Sequence, residues 1–362
     1  LVVRKAKTLE AIGTESEALK RVASPNQFGL LADGIAQAAI TAQIILEDDE
    51  GLTRQYRRDS NRVPKRELAI LHLDIRDAFD GVSRSEIIEL LNELQSNNIH
   101  YFCDRMGSAT DLVFELEGKE VLFTTHKGVP QGRCSSPILF DAIYGACLKR
   151  GKVFDIGNVR VLLIHDDFYA IGTPADLKEV HTRFTKCIKT IGLCENENKR
   201  EYFCFNDAVA VEMDLLFPNI TRCNLGLDIG GIPCGKDEYR INEIKQKDDA
   251  NTSRTLELIR DHDGSIETVY ALQKFCISPA WNHIIRANEL LTPGGNESLR
   301  EHILLNEKKV IKSFMASARK QTRLPTIEIE EEWCDYDVTR NIFFRRSSLG
   351  GLGITSSIDT SP

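Results

Sequence analysis

The period of apolar and polar positions changes several times along this chain, and each change marks an element. Between residues 34 and 47, Ile35, Ala38, Ala39, Ala42, Ile44 and Ile45 recur near helical spacing, which predicts a packed helix running into the acidic stretch Glu47-Asp48-Asp49-Glu50. Leu68 to Ile75 is a short apolar segment with the look of a buried strand. Ser83 and Glu86 form a capping box for a helix reaching about Leu94. Asp111 to Leu116 and Val121 to Thr125 are β-like runs joined at Glu117-Gly118-Lys119-Glu120, a hairpin. After Pro137, Ile138 to Leu148 predicts a helix, and Val159 to Ile164 with Phe168 to Ile171 predict a second hairpin. Thr173-Pro174 starts another helix, with proline in its first turn, and Gly192 ends it. Val209 to Leu216 and Leu225 to Ile232 have strand-like composition. From Lys236 onward the pattern is helical, Ile266 to Ile285 and Leu299 to Arg319 being the longest candidates. A β-rich middle followed by a helical end predicts a mixed α+β core and an α domain after it.

At 362 residues the chain exceeds one typical core, and two or three subdomains are expected. An apolar content of 42% and a charged content of 28% are ordinary for a soluble globular protein. None of the ten cysteines falls into a C-x-x-C pair, so they read as reduced thiols of an intracellular protein, with neither a zinc site nor a disulfide framework indicated. No apolar run approaches a membrane span and no signal peptide opens the chain, so no membrane partner is expected. The first residue is Leu1, which suggests a fragment of a longer protein. A net charge of −8 argues against non-specific coating of nucleic acid. Locally, Arg54, Arg57, Arg58, Arg62, Lys65 and Arg66 crowd a stretch with only Asp59 as counterweight, which reads either as a basic patch or as a solvated loop.

Candidate chemistry lies where apolar runs end. Leu73-Asp74-Ile75-Arg76-Asp77-Ala78-Phe79-Asp80 closes the first predicted strand, and Ile164-His165-Asp166-Asp167 sits in the second hairpin. Between them lies Lys127-Gly128-Val129-Pro130-Gln131-Gly132, followed by Ser135-Ser136-Pro137. Carboxylates converging from separate strand ends suit two-metal phosphoryl transfer, which needs two or three of them around an ion pair about 3.5–4 Å apart.

In this order the motifs resemble those of reverse transcriptases, particularly of non-LTR retroelements, over roughly Pro25 to Gly235. Asn26-Gln27-Phe28-Gly29 with Gly34 looks like the fingers motif that precedes the palm. The resemblance implies a right-hand polymerase with fingers at 1–66 and 96–127, palm at 67–95 and 128–235, a helical thumb at 236–325 and a C-terminal extension at 326–362. It implies Asp74, Asp166 and Asp167 as catalytic residues and, with Ile75, as ligands of two Mg²⁺, Mn²⁺ being an alternative. Asp77, Ala78, Phe79, Gln131 and Gly132 would bind the nucleotide, with the Phe79 ring beneath the sugar selecting deoxynucleotides. Gly192-Leu193 with Asn196, Lys199 and Glu201 looks like the fourth palm motif, in which Lys199 would protonate pyrophosphate. Gly231, Ile232 and Pro233 would grip the primer. Ser348-Leu349-Gly350-Gly351-Leu352-Gly353 resembles a short motif after the thumb of related proteins. The implied partners are an RNA template, a DNA primer and deoxynucleoside triphosphates, in the nucleus.

Three features depart from the family pattern: Ile164 and His165 where Tyr-Ala or a similar pair is usual, Gly230 where an aliphatic residue is usual, and an unmatched N-terminus opening Leu1-Val2-Val3-Arg4-Lys5-Ala6-Lys7. A decayed or domesticated relative that binds nucleic acid without turnover is therefore an alternative, and an RNA-dependent RNA polymerase is a third reading that Phe79 opposes.

Overall fold

A computed structural model of the protein describes residues 18–23, 26–31, 33–50, 67–107, 109–116, 119–130, 135–261, 265–272, 274, 284, 287–288, 290 and 295–322. The basic stretch Arg54–Arg66, Gln131, Gly132, the opening segment and the Ser348–Gly353 motif lie outside the described residues. The chain divides between Gly230 and Gly231 into two compact units.

The first unit is built on a five-stranded sheet. Its strands are β1 (Ala69–Leu73), β5 (Arg160–Ile164), β6 (Asp167–Gly172), β8 (Glu201–Phe203) and β9 (Thr221–Cys223), in the order β5-β6-β1-β8-β9. All neighbours run antiparallel except β8 and β9. Ala69, Ile70, Leu71 and Leu73 of β1 are buried, as both faces of a covered central strand require, and His72 alone stays partly accessible. Two short strands, β2 (Ile75–Arg76) and β7 (Cys194–Glu195), pair separately, and β3 (Thr110–Leu116) and β4 (Lys119–Thr125) form the predicted hairpin.

Helices close the core. α1 (Gly34–Glu50) follows a 3₁₀ turn at Phe28–Leu30; α2 (Ala78–Gly81), α3 (Arg84–Glu93) and α4 (Ile99–Met106) follow β2. The Ser83 Oγ accepts from the Glu86 backbone N–H at 3.4 Å, so the capping residue starts α3 as read. α5 (Ser136–Arg150) is buried nearly throughout, and α6 (Pro174–Thr190) begins at the Thr173 cap with proline in its first turn. Short α4 has no strong sequence signal; Phe102 and Met106, four apart, are its buried anchors.

Val209 to Leu216 is not a strand. It forms α7 (Asp207–Leu216), with Asn206 Oδ1 accepting from Ala208 N–H at 2.8 Å to cap it. Val209, Ala210 and Met213 face the core while Val211 and Leu215 face solvent, a helical division that an apolar run this short does not declare. Leu225 to Ile232 is likewise not one strand. β10 (Gly226–Ile229) ends before Gly230 and Gly231, both at positive φ, and β11 (Ile232–Gly235) begins after them.

In the second unit, α8 (Asp237–Asp261) lies against α10 (Glu297–Thr322), and α9 (Ile266–Leu272) joins them around Ile259, Val269, Val310, Ile311 and Phe314. A polar clasp joins α8 and α10 as well. Asn306 Nδ2 donates to Asp248 Oδ2 at 2.7 Å and to Asp249 Oδ1 at 2.8 Å, and His302 Nε2 lies 3.0 Å from Asp249 Oδ1. The ligating atoms of Asp248, Asp249 and His302 all lie within 4.8 Å of one another. Burial raises the Asp248 carboxyl to about 7 against the pull of Asn306, with Glu307 and Asp249 adding to the rise. A carboxyl raised from 3.8 to about 7 on folding destabilises the fold as pH climbs through that window, because only the folded state still holds its proton there. Asp248→Asn keeps an acceptor for Asn306 and removes this charge. It should raise the thermal midpoint above pH 7 and leave it nearly unchanged near pH 4, as calorimetry at the two pH values would show.

Candidate active site

The β1–β6 ladder ends on the pair Leu73 and Phe168, so one further step brings Asp74 alongside Asp167. On the other side of β6, Ile164 pairs with Asp167, leaving His165 and Asp166 as a two-residue turn. Asp74 occupies the break between β1 and β2 and is 7% exposed; Asp166 and Asp167 are half-buried. The Asp166 carboxyl is raised chiefly by burial and then by the charges of Asp167 and Asp74, which places both within electrostatic reach of it. Their oxygens do not all approach within 4.8 Å of one another. Hard oxygen donors with a mutual repulsion that a cation relieves fit a Mg²⁺ site better than they fit a soft-metal or anion site.

Asp74 is held from behind. Asn196 Nδ2 donates to Asp74 Oδ2 at 2.9 Å and Lys199 Nζ to Asp74 Oδ1 at 3.3 Å, while the Asn196 backbone N–H donates to the Asp74 carbonyl at 2.8 Å. Asn196 follows β7, and β7 is fixed by its buried Glu195. Arg200 Nε and Nη2 donate to the two Glu195 oxygens at 2.7 and 2.9 Å, and His181 Nε2 lies 3.1 Å away. Burial pushes the Glu195 carboxyl up, but His181 and Arg200 outweigh it and hold it below the usual range.

His72, which the sequence reading passed over, belongs to the same constellation. Its Nε2 lies 3.3 Å from Asp167 Oδ1 and its Nδ1 3.0 Å from Glu201 Oε1, and its ring stacks on Tyr169 with centroids 4.5 Å apart. Burial lowers its pKa, yet the hydrogen bonds and charges of the two carboxylates outweigh it and carry it to about 9, favouring the charged ring. The available signal was spacing: His72 lies two residues before Asp74, and alternate residues of an extended segment point the same way.

Phe79 on α2 is half-buried and stacked on Phe140 of α5 at 4.8 Å. The Gly128-Val129-Pro130 segment is tied to the same short helix. Val129 N–H donates to the Phe79 carbonyl at 2.7 Å and Gly128 N–H to the Val82 carbonyl at 2.8 Å. Buried Arg84 donates from Nε to the Gly128 carbonyl at 2.8 Å, and Ser136 Oγ to the Pro130 carbonyl at 2.6 Å. Among the other expected residues, Asp77 is exposed with φ 48°, Ala78 is buried in α2, and the Ile75 side chain is buried in β2. Ile232 and Pro233 are buried in β11 of the second unit, where Lys247 Nζ donates to the Gly231 carbonyl at 2.8 Å.

Residues 7–247 match the family model described as reverse transcriptase (RNA-dependent DNA polymerase). The chain belongs to this family. No curated protein matches it. Among solved structures, a telomerase from Candida albicans in complex with a TWJ fragment of telomeric RNA is similar to it, with a TM-score of 0.50 and 15% identity over 90% of this chain and 49% of the other. Apo telomerase from Candida tropicalis is similar with a TM-score of 0.45 and 13% identity, covering 89% of this chain and 50% of the other. The chain thus spans about half the length of these telomerases.

Two of the departures from the reverse transcriptase pattern are one packing event. A Cβ on Gly230 would lie 2.5 Å from Ile35 Cγ2 and 3.1 Å from Ile164 Cδ1, and Gly230 sits at φ 55°. Ile35 excludes a Cβ there, Ile164 tightens the same corner, and the positive φ itself favours glycine at 230. The Gly230 N–H donates to Tyr169 Oη at 3.3 Å, tying this corner back to the ring that carries His72.

The Arg200–Glu195 pair supports Asn196 and so Asp74. Arg200→Met would leave Glu195 buried and without its fork, costing about 3–5 kcal/mol of stability at neutral pH. Because the wild-type pair depresses the Glu195 pKa, its contribution is present above 4.5 and is lost as pH falls through the depressed value. Urea unfolding of the variant should therefore show a deficit that narrows in acid.

Proposed function

We propose that the chain is an RNA-directed DNA polymerase that extends a primer 3′-hydroxyl with deoxynucleotides, and that it derives from a non-LTR retroelement. The observation that carries this reading is the strand register, which sets Asp74 beside Asp167 at the turn that holds Asp166, so that acids from two remote segments meet at one end of the sheet. Asp74, Asp166 and Asp167, with the Ile75 carbonyl, would hold two Mg²⁺, which would sharpen the nucleophile and offset charge on the leaving phosphates. The primer oxygen attacks the α-phosphate in line and pyrophosphate departs. Lys199, within reach of Asp74, is placed to give the leaving group a proton or a positive charge. Phe79, braced by Phe140, presents a bulky ring where a ribose 2′-hydroxyl would have to fit.

Asp77 and Ala78 beside Phe79, with Gln131 and Gly132, complete the nucleotide pocket in this reading, and Gly231, Ile232 and Pro233 grip the primer. Fingers, palm and thumb keep the boundaries drawn from the sequence. Template and primer bind mainly through phosphates, so affinity falls with salt. Among the described residues no helix is long and apolar enough to cross a membrane; in this reading the protein works inside the cell, in the nucleus. A second reading is a telomerase-like enzyme that copies a resident RNA, in keeping with the RNA-bound telomerase of similar fold.

Purified protein with Mg²⁺, an added RNA template and an annealed primer should extend the primer, and Asp166→Ala should reduce extension to background. Template-primer binding without extension by the wild type would leave the nucleic-acid-binding alternative. Synthesis only from an RNA that copurifies, abolished by nuclease treatment and not restored by added template, would favour the telomerase-like reading.

Phe79→Ala tests the sugar choice. Removing the ring should raise ribonucleotide use relative to deoxynucleotide use by roughly 10–200-fold, a change of about 1–3 kcal/mol. A wild type that already prefers ribonucleotides would instead identify an RNA-dependent RNA polymerase.

A further inference from the structure

The turn that presents Asp166 has a residue in an unfavourable conformation. His165, the first residue of a two-residue hairpin loop, has φ 54°, a position where glycine is the usual occupant. Holding a side chain in the left-handed region costs on the order of 1–2 kcal/mol, so something must hold it.

Gln27 does so from before α1. Its Oε1 accepts the His165 backbone N–H at 2.9 Å, and its Nε2 donates to the His165 carbonyl at 3.2 Å. The same Nε2 donates to Asp141 Oδ1 at 3.0 Å, and the same Oε1 accepts the Gly29 N–H at 3.1 Å. Both donors and both lone pairs of one amide are thereby used. Gln27 is 2% exposed and Asp141, on α5, is fully buried. Asp141 Oδ2 in turn lies 2.9 Å from His165 Nδ1, tying the ring as well as the backbone. A Cβ on Gly29 would stand 2.9 Å from the His165 nitrogen and its Cε1, which is why the chain beside the clasp must be glycine. Leu163 N–H donates to the Asn26 carbonyl at 2.9 Å, extending the contact along β5.

We propose that Gln27 is a positioning residue for the paired aspartates: its amide clasps both backbone polar groups of His165 and so fixes the direction in which Asp166 and Asp167 face the catalytic site. The inference rests on the polymerase reading for its activity readout and on geometry alone for its metal readout. An amide is required. Glutamate lacks the donors and would set a second carboxylate against Asp141, asparagine is a methylene short, and methionine fills the space without either bond.

The test measures Mn²⁺ binding by electron paramagnetic resonance, counting only ions lost in Asp166→Ala, together with primer extension. Gln27→Met should weaken Asp166-dependent Mn²⁺ binding and lower kcat by roughly 10–100-fold, with KM for the nucleotide little changed. Adding His165→Asn should recover part of both losses, since asparagine tolerates positive φ and keeps an N–H donor toward Asp141. Should Gln27→Met fail to fold, Gln27→Asn replaces it in the same cycle, with a smaller expected loss and the same recovery. Unchanged Mn²⁺ affinity in a folded Gln27 variant would overturn the proposal, as would losses that His165→Asn leaves untouched or a wild type with no Asp166-dependent Mn²⁺. A wild type that binds Mn²⁺ at Asp166 but never extends a primer would remove the polymerase reading, and the positioning role would then be judged on the metal data.

Discussion

Everything in the first unit is arranged around a repulsion. Three carboxylates meet at one end of the sheet, and the charges of Asp74 and Asp167 oppose that of half-buried Asp166. Chains do not collapse spontaneously onto such an arrangement; it is imposed by strand pairing. β1 is locked to β6 through Ala69–Gly172 to Leu73–Phe168, every position apolar except at His72 and its partner Tyr169. A one-residue slip would turn the buried set to the wrong face, a far larger loss than the electrostatic relief it would give. Hydrophobic register thus overrides charge and holds the acids together.

The polar residues buried in this unit show how the remaining cost is contained. Arg84 secures the Gly128 carbonyl, Glu195 secures the turn that carries Asn196, and Gln27 with Asp141 secures His165. Such groups cost several kcal/mol when buried without partners, and Arg84, Glu195, Gln27 and Asp141 all have partners with hydrogen-bond geometry. A core designed for stability alone would fill these places with apolar side chains. Their presence beside the acids marks where the fold gives up adaptability of sequence for a fixed direction of a few side chains.

Much of this was readable in the chain, and what was not has a common cause. β1, β5 and β6 were legible because a covered strand must be apolar, and Asp74 and Asp166 because they interrupt that rule. The start of α3 was legible from Ser83 and Glu86, since a cap is made by residues three apart. Gln27, Asp141 and His72 were not. Gln27 meets Asp141 across 114 positions and His165 across 138, and no local pattern encodes a partner at that distance. α7 was misread because a short apolar run such as Val209 to Val211 suits either element until one knows which neighbours cover it, and the Asn206 cap was the local clue.

The departures at 164, 165 and 230 gain a physical meaning from the same contacts. Taken from the sequence, they weaken the match with the family and suggest decay. In the fold Ile35 and Ile164 pack against Gly230, and His165, strained by its φ, is tied through backbone and ring by two buried residues. Random loss of function would leave cavities, unpaired buried groups or relaxed backbones at such positions, because nothing selects the partner. At 164, 165 and 230 the described groups are instead packed and partnered, so the departures from the family pattern are not by themselves a sign of decay.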